Sequence, residues 1–285
     1  MLEVLRAIQS IHGPVLDRLF VAVTMLGAEE FYLLVIPTLY WCVDRTQGRR
    51  LGRLFLLSAF VNVWLKGLFH TSRPSPAQVR VLFPESGTGY AFPSGHAQGA
   101  ATFWGYLALR RRRRWVTLLA GLLIFLVALS RLYLGLHWPS DVAGGLALGL
   151  LFAWVWERAG RWWEDELGAI VWPLRAVGAF LFPLLLLLAE RGPNAVKLVG
   201  ALAGFSGGAV LAGPWATLPK TEGGTRQVAK VLLGLSGLFL LRTGLKTIFP
   251  ASLLFDGLRY GLIGLWVGFL VPWLFASVWP SRAWS

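Results

Sequence analysis

The chain reads WVTLLAGLLIFLVALSRLYLGL from Trp115 to Leu136. Arg131 is the only charged residue in this stretch, which has the length of roughly 17–25 residues that an α-helix needs to cross a bilayer. Similar runs recur along the chain, of which 56% is hydrophobic and only 14% is charged. A soluble domain of 285 residues has too little interior to bury that much apolar surface. The sequence therefore predicts an all-α protein that crosses the membrane several times.

Apolar runs on both sides of this stretch predict a transmembrane bundle of about nine helices. The other predicted spans are 29–44, 51–69, 94–109, 138–156, 170–189, 194–214, 229–247 and 255–278. Residues 1–28 read as two short amphipathic helices, broken at Gly13-Pro14, that suit the membrane interface. We therefore predict interfacial helices at 1–28, a five-span core at 29–156 and a C-terminal extension at 157–285, which begins with a charged connector at 157–166.

Basic residues in the short loops predict the orientation of the chain. They cluster on the side opposite to the polar loop at residues 71–92, and include Arg45, Arg49, Arg50, Arg53 and the run Arg110–Arg114. Because loops rich in arginine and lysine stay in the cytoplasm, the loop at 71–92 is predicted to face outward from the cell membrane. The net charge of +13 has the same explanation, so the expected partner is the lipid bilayer and no nucleic-acid partner is expected.

Ionisable residues at the ends of these spans converge on the outward face. Lys66 and Arg73 are two helical turns apart. Arg131 lies near the end of another span, and His137 and Asp141 follow at the i, i+4 spacing of one helix face. A lone lysine that snorkels, or a histidine–aspartate pair on a helix surface, has a plain structural explanation. Charges beside a membrane are costly to leave unpaired, so their joint arrival on one face indicates a functional site.

The start of the span at 94–109 adds an anion-binding element, because it reads Pro93-Ser94-Gly95-His96. A helix N-terminus presents free N–H groups and the positive end of the helix dipole. Gly95 lets the backbone approach an anion closely. His96 follows directly and brings a second imidazole to the same face.

Three cations, a helix N-terminus, two histidines and one carboxylate suit phosphoryl chemistry. His137 beside Asp141 has the arrangement of an activated nucleophile, and His96 can protonate a leaving oxygen near neutral pH. The sequence offers no carboxylate cluster for Mg²⁺ and no Cys/His set for Zn²⁺. We therefore predict hydrolysis of a phosphate ester without a metal or cofactor, with the cationic side chains supplying the positive charge.

The same residues resemble the three signatures of the type 2 phosphatidic acid phosphatase superfamily. They are Lys66-(six residues)-Arg73-Pro74, Pro93-Ser94-Gly95-His96 and Ser130-Arg131-(five residues)-His137-(three residues)-Asp141, and the resemblance covers about residues 15–156. It implies that His137 is a nucleophile that forms a phosphohistidine, with Asp141 as its partner and His96 as the leaving-group acid. It also implies that the phosphate is bound by Lys66, Arg73, Ser94, Gly95 and Arg131.

The chain departs from many bacterial members of this family, which end soon after the third signature. It lacks their first span and adds four spans after Glu166, a layout closer to glucose-6-phosphatase and sphingosine-1-phosphate phosphatase. The leading hypothesis is a phosphatase for a lipid phosphate or pyrophosphate, with the headgroup at the outer face and the tails among the helices.

Two further functions stay open. One is a phosphatase or phosphotransferase for a soluble substrate such as a sugar phosphate. The other is a transporter or scaffold without enzymatic activity, but transport does not need a nucleophile and an acid together, so the two histidines argue against it. The sequence does not indicate the oligomeric state.

Overall fold

The computed structural model describes residues 1–213 and 224–278, without the side chains of residues 160–169. Every regular element in these ranges is helical, which confirms the predicted all-α class. The chain groups into two compact units, the first formed by Met1–Leu33 and Val61–Arg161 and the second by Leu34–Phe60 and Trp162–Ser285. The sequence-based division at 1–28, 29–156 and 157–285 followed the spans instead and stays a prediction.

The helices of the first unit come from both sides of residues 34–60 in the sequence. Four of them belong to it entirely: α1 (Leu2–Gln9), α2 (Pro14–Met25), α5 (Gly95–Arg111) and α6 (Arg114–Tyr133). Three others contribute to both units: α3 (Glu29–Thr38), α4 (Arg45–Phe69) and α7 (Pro139–Ala169), whose residues up to Arg161 belong to the first. Pro14 is the first residue of α2, where the backbone N–H forms no hydrogen bond within the helix, so a proline is tolerated there. Residues 70–94, which we call the site loop, join α4 to α5 and contain one short 3₁₀ turn at Pro84–Ser86.

Close approach of α5 and α7 depends on glycine. A Cβ atom at Gly145 would lie 2.5 Å from the Ser94 carbonyl oxygen, and one at Gly149 would lie 2.4 Å from the Gln98 carbonyl oxygen. Both distances are too short for any side chain. The two glycines are one turn apart, so together they let the first turn of α5 lie directly against α7. This contact brings two helix N-termini together.

The second unit is built around α9 and α11. Its helices are α8 (Trp172–Leu181), α9 (Pro193–Leu211), α10 (Gly224–Ile248), α11 (Leu253–Leu265) and α12 (Val271–Val278), with π-helical turns at Leu39–Val43 and Trp266–Leu270. Tyr40 and Trp41 are buried here, and their polar atoms donate to the carbonyl oxygens of Gly268 (3.0 Å) and Val267 (2.9 Å). These bonds satisfy the two polar atoms inside an apolar core.

The number of membrane spans differs from the prediction. In the described ranges, six helical segments are long and apolar enough to cross a membrane: Arg45–Phe69, Arg114–Tyr133, Pro139–Ala159, Pro193–Leu211, Gly224–Ile248 and Leu253–Val278. The pair Pro14–Met25 and Glu29–Val43, bent by 47°, raises this number to seven if it is one broken span. The expected total of about nine spans is therefore not confirmed.

Local features explain the missing spans. The helix predicted at 94–109 forms as α5 but has only 17 residues. The span predicted at 170–189 forms a short α8 that continues as a 3₁₀ segment from Phe182, because Pro183 cannot donate an α-helical hydrogen bond. The charged connector predicted at 157–166 is helical, since α7 continues through it to Ala169, and the apolar part of this helix that could cross a membrane ends at Ala159. That segment contains no proline and many good helix formers.

Candidate active site

All eight residues predicted for the site lie in the first unit. Lys66 is in the last turn of α4, and Arg73 is in the site loop. Ser94 is the N-cap residue of α5, and Gly95 and His96 are in its first turn. Arg131 is in the last turn of α6, His137 lies between α6 and α7, and Asp141 is in the first turn of α7. Four of them are almost completely buried, with at most 2% of their surface exposed: Ser94, Arg131, His137 and Asp141. A buried cluster of this composition needs specific partners.

Hydrogen bonds to the start of α5 tie three helices together. The Ser94 N–H donates to the Asp141 carbonyl oxygen (2.9 Å), which links the first turns of α5 and α7. The Asn62 amide, one turn before Lys66 in α4, donates to the Pro93 carbonyl oxygen (3.2 Å) and to the Gln98 side chain (2.8 Å). The helix ends that carry the signature residues are therefore held by direct contacts.

His137 contacts both a cation and a carboxylate. Arg73 Nη1 donates to His137 Nε2 (3.0 Å) and to the Leu136 carbonyl oxygen (2.7 Å). Because a guanidinium can only donate, Nε2 is the unprotonated nitrogen and the ring proton is on Nδ1. Nδ1 faces Asp141 Oδ2 at 3.5 Å, too far for a good hydrogen bond, while that oxygen accepts from the Trp138 N–H (2.8 Å). The predicted pair is close but not tightly bonded.

The electrostatic surroundings keep His137 neutral. Burial lowers the pKa of His137 well below its usual value, and the positive charges of Arg131, Arg73 and Lys66 lower it further. A neutral imidazole has a lone pair on Nε2, which is the form that a nucleophile requires.

Arg131 and His96 meet at Ser86. Arg131 Nη1 donates to the hydroxyl oxygens of Thr24 (2.7 Å) and Ser86 (2.8 Å), and Nη2 donates to the Ser86 carbonyl oxygen (2.8 Å). The Ser86 hydroxyl also lies 3.3 Å from His96 Nε2. One serine of the site loop therefore connects the third cation with the second histidine.

The other two cations bind carbonyl oxygens of the site loop. Lys66 Nζ donates to the carbonyl oxygens of Tyr90 and Ala91, the latter at 3.2 Å. Arg73 donates to Thr88 and Gly89 at 2.9 Å each, and to Tyr90 at 3.2 Å. Carbonyl oxygens are weaker acceptors for a guanidinium or ammonium group than charged phosphate oxygens are. A phosphate group would therefore compete favourably with these loop oxygens for the same donors.

Two buried polar atoms of the site fit a phosphate group. Ser94 Oγ and Arg131 Nε have no hydrogen-bond partner among the described residues, whereas the unpartnered His137 Nδ1 faces Asp141. Buried polar atoms are nearly always paired, so two such atoms among the signature residues indicate a site for a polar ligand. A hydroxyl and a guanidinium donor beside a helix N-terminus are suited to an oxyanion.

Sequence reasoning missed the residues that support the site loop from the N-terminal helices. The Gln9 amide donates to the carbonyl oxygens of Arg80 (2.7 Å) and Tyr133 (2.8 Å). Asp17 accepts hydrogen bonds from the Arg80 guanidinium (2.9 Å) and the Tyr133 hydroxyl (2.6 Å). These polar residues of α1 and α2 pack towards the loop and α6. The charge of Asp17 within the apolar stretch of α2 was the one sequence feature that could have indicated this support.

Comparison with known proteins identifies the family of the chain. Residues 48–164 match the family model of the PAP2 superfamily. Phosphatidylglycerophosphatase B of Bacillus subtilis is 32% identical in sequence over 50% of this chain and 73% of its own length. The chain belongs to the PAP2 superfamily. The resemblance inferred from the three signatures is thereby confirmed, and the chain is a membrane phosphatase, a hydrolase of phosphoric esters.

Three further similarities extend beyond the PAP2 core or support its fold. Residues 196–281 match a model described as PAP2 superfamily phosphatase, transmembrane extension. Sphingosine-1-phosphate phosphatase 1 of Mus musculus is 25% identical, with 91% of this chain and 72% of the mouse protein covered. The crystal structure of the transmembrane PAP2 type phosphatidylglycerolphosphate phosphatase from Bacillus subtilis superposes with a TM-score of 0.50 at 27% identity, over 56% of this chain and 84% of that one.

Proposed function

We propose that this PAP2 phosphatase hydrolyses a lipid phosphate or pyrophosphate through a phosphohistidine on His137, at the outer face of the membrane. The observation that carries the proposal is the contact of the half-buried Arg73 with the buried His137, from Nη1 to Nε2 at 3.0 Å. It leaves the imidazole neutral and directs the reactive nitrogen towards the groups that bind phosphate.

In the first step, Nε2 of His137 attacks phosphorus and the bond from phosphorus to the ester oxygen breaks. The leaving oxygen takes a proton from His96, which acts as the general acid. Burial and the charges of Arg131, Arg73 and Lys66 lower the pKa of His96 well below its usual value, so His96 takes up this proton together with the anionic phosphate, whose negative charge favours the protonated imidazole. Before the attack, Arg73 releases Nε2 and turns its donors to the phosphate oxygens, because one lone pair cannot serve both partners.

In the second step, a water molecule attacks the phosphohistidine and gives its proton to His96. The phosphorus–nitrogen bond breaks, inorganic phosphate leaves, and both histidines return to their starting forms. Asp141 lies beside His137 Nδ1 at 3.5 Å, where its charge stabilises the imidazole as positive charge develops. Lys66, Arg73 and Arg131 stabilise the negative charge on the three equatorial oxygens, together with the N-terminus of α5 around Ser94 and Gly95.

The distribution of arginine in the loops supports the outer location. The run Arg110–Arg114 joins α5 to α6 at the end of each helix that is distant from His96 and Arg131. Short basic loops remain in the cytoplasm, so the opposite ends of these helices, which carry the site, face outward.

The position of the site at helix ends supports a lipid substrate. A phosphate group at this depth is where the headgroup of a membrane lipid resides, and burial of its tails adds roughly 0.8 kcal/mol per methylene. Two relatives of the chain are named for lipid phosphates, phosphatidylglycerophosphate and sphingosine 1-phosphate. A soluble sugar phosphate, the second candidate, gains nothing from the surrounding hydrocarbon.

The test compares kcat/KM for phosphatidate, sphingosine 1-phosphate and an isoprenoid pyrophosphate with that for glucose 6-phosphate in the same micelles. We expect at least one lipid to be hydrolysed about a hundredfold more efficiently, because even a few buried methylenes supply that factor. The His137→Ala variant, purified identically, corrects for contaminating phosphatases. If glucose 6-phosphate is hydrolysed as efficiently as the best lipid, the soluble-substrate hypothesis replaces the lipid one.

A further inference from the structure

Two hydroxyl groups outside the three PAP2 signatures hold the guanidinium of Arg131. Thr24 comes from α2 and Ser86 from the 3₁₀ turn of the site loop, and both accept hydrogen bonds from Nη1, at 2.7 and 2.8 Å. Thr24 and Arg131 are both completely buried. Thr24 also lies outside residues 48–164, the range that matches the PAP2 family model.

Counting the donors of Arg131 shows what this arrangement leaves for a ligand. A guanidinium has five N–H groups. Two on Nη1 bind Thr24 and Ser86, and one on Nη2 binds the Ser86 carbonyl oxygen (2.8 Å). Because Ser86 binds both Nη1 and Nη2, it occupies the edge between them. The remaining N–H of Nη2 and that of Nε, which has no partner among the described residues, lie side by side on another edge.

We propose that Thr24 and Ser86 form a hydroxyl clamp, a pair of positioning residues that orient Arg131 so that its Nε/Nη2 edge binds the substrate phosphate through two parallel hydrogen bonds. Such paired bonds are the geometry in which arginine recognises phosphate most strongly. Arginine has many rotamers, and fixing one of them before binding lowers the entropy cost of binding. The proposal deepens the proposed function and rests on it, because it assumes that Arg131 binds phosphate.

The clamp also connects Arg131 with the rest of the site. The Ser86 hydroxyl is 3.3 Å from His96 Nε2, so the same residue contacts the phosphate-binding cation and the proposed acid. The end of α2 packs against this region as well, since a Cβ atom at Gly27 would lie 3.1 Å from His96 Cβ. Residues near the N-terminus of the chain are therefore part of the hydrolytic site.

The test measures the inhibition constant of orthovanadate, a phosphate mimic, together with kcat and KM, on the full chain in detergent. Thr24→Val and Ser86→Ala each remove one hydroxyl with little change in size. We expect each to raise the inhibition constant about tenfold or more, because a hydrogen bond to a charged group is lost. Thr24→Ser keeps the hydroxyl and should bind vanadate as the wild type does. Thr38→Val is the matched control, since the Thr38 hydroxyl bonds only within α3, to the Leu34 carbonyl oxygen (2.7 Å).

A double-mutant cycle separates positioning from general damage. In an Arg131→Gln background, Thr24→Val and Ser86→Ala should raise the inhibition constant no further, because both act through Arg131. The clamp is overturned if both single variants bind vanadate within twofold of the wild type, or if their effects persist without Arg131. If Thr24→Val does not fold, Ser86→Ala decides the question. An unchanged constant in Arg131→Gln alone contradicts the proposed function, whereas a raised constant there with wild-type single variants overturns only the clamp.

Discussion

The two compact units use charge in different ways. In the first unit Arg131, His137 and Asp141 are almost completely buried, and Arg131 Nε and His137 Nδ1 have no partner among the described residues. In the second unit Asp256 binds Arg259 at 2.6 Å and lies 3.8 Å from Lys197, and the side chains of Asp256 and Lys197 remain about a quarter exposed, at 26% and 28%. Arg259 Nε is also without a partner among the described residues, so the difference between the units is one of burial: the first unit buries its ionisable groups almost completely, while the second pairs opposite charges that remain partly exposed.

Both units bring helices together through glycine, yet the outcome differs. A Cβ atom at Gly145 in the first unit would lie 2.5 Å from the Ser94 carbonyl oxygen, at the N-terminus of α5. In the second unit a Cβ atom at Gly204 would lie 2.0 Å from the Gly261 carbonyl oxygen, in the middle of α9 and α11. Close packing at glycine therefore brings polar helix ends together in the first unit, whereas in the second unit it joins the middles of two apolar helices.

The largest expected difference comes from one substitution made in both units. Asp141→Asn should lower kcat by about a hundredfold or more, because the neutral amide no longer stabilises charge on His137. Asp256→Asn, the matched change in the second unit, should leave kcat unchanged. Both are measured on purified protein with the preferred lipid phosphate. Equal losses in the two variants would show that catalysis is not confined to the first unit.

The second prediction concerns stability in the second unit. Gly204→Ala should lower the free energy of unfolding by about 1–3 kcal/mol, as overpacking does, because its Cβ meets backbone that cannot move aside. Gly178→Ala in α8 is the control, since a Cβ atom there meets nothing within 4 Å. Thermal unfolding in detergent measures the stability of both variants. We expect kcat per folded molecule to equal that of the wild type in both. Unaltered stability in Gly204→Ala would mean that α9 and α11 pack less closely than described.

The smallest expected effect is that of metal removal. Among the described side chains, those of residues 1–159, 170–213 and 224–278, no three His, Cys, Asp or Glu residues are close enough to hold a metal ion. We predict that activity continues in excess EDTA, because cationic side chains of the first unit supply the positive charge. Turnover is followed before and after dialysis against the chelator. Complete loss that Mg²⁺ alone restores would contradict the prediction.

The sequence predicted the family, which is confirmed, and a set of site residues, which stays a prediction; both inferences depend on local spacing. Arg131, His137 and Asp141 lie around a single helix connection. Lys66 and Arg73 are only seven residues apart, but α4 ends at Phe69, so Arg73 lies in the site loop and not on the predicted helix face. The number of spans was harder to predict, because hydropathy does not reveal that Pro183 interrupts α8 or that α5 is short. Those outcomes depend on backbone geometry and packing.

The residues that support the site were not predictable by the same reasoning. Thr24 and Ser86 are single hydroxyl residues, 107 and 45 positions from Arg131, in no recognisable pattern. Asn62 was visible only as a polar interruption of an apolar run. The role of such residues is visible only when the fold places them beside a charged side chain. A single sequence therefore indicates the reactive residues but not the residues that position them.

The most direct test of the central claim is to trap the covalent intermediate. The enzyme is mixed with a ³²P-labelled lipid phosphate, quenched rapidly in alkali and digested, and the labelled peptide is identified. We predict label on His137 that alkali preserves and acid removes, as expected for a phosphorus–nitrogen bond, and none in His137→Ala. Label on any other residue, or label that survives in His137→Ala, would contradict the account.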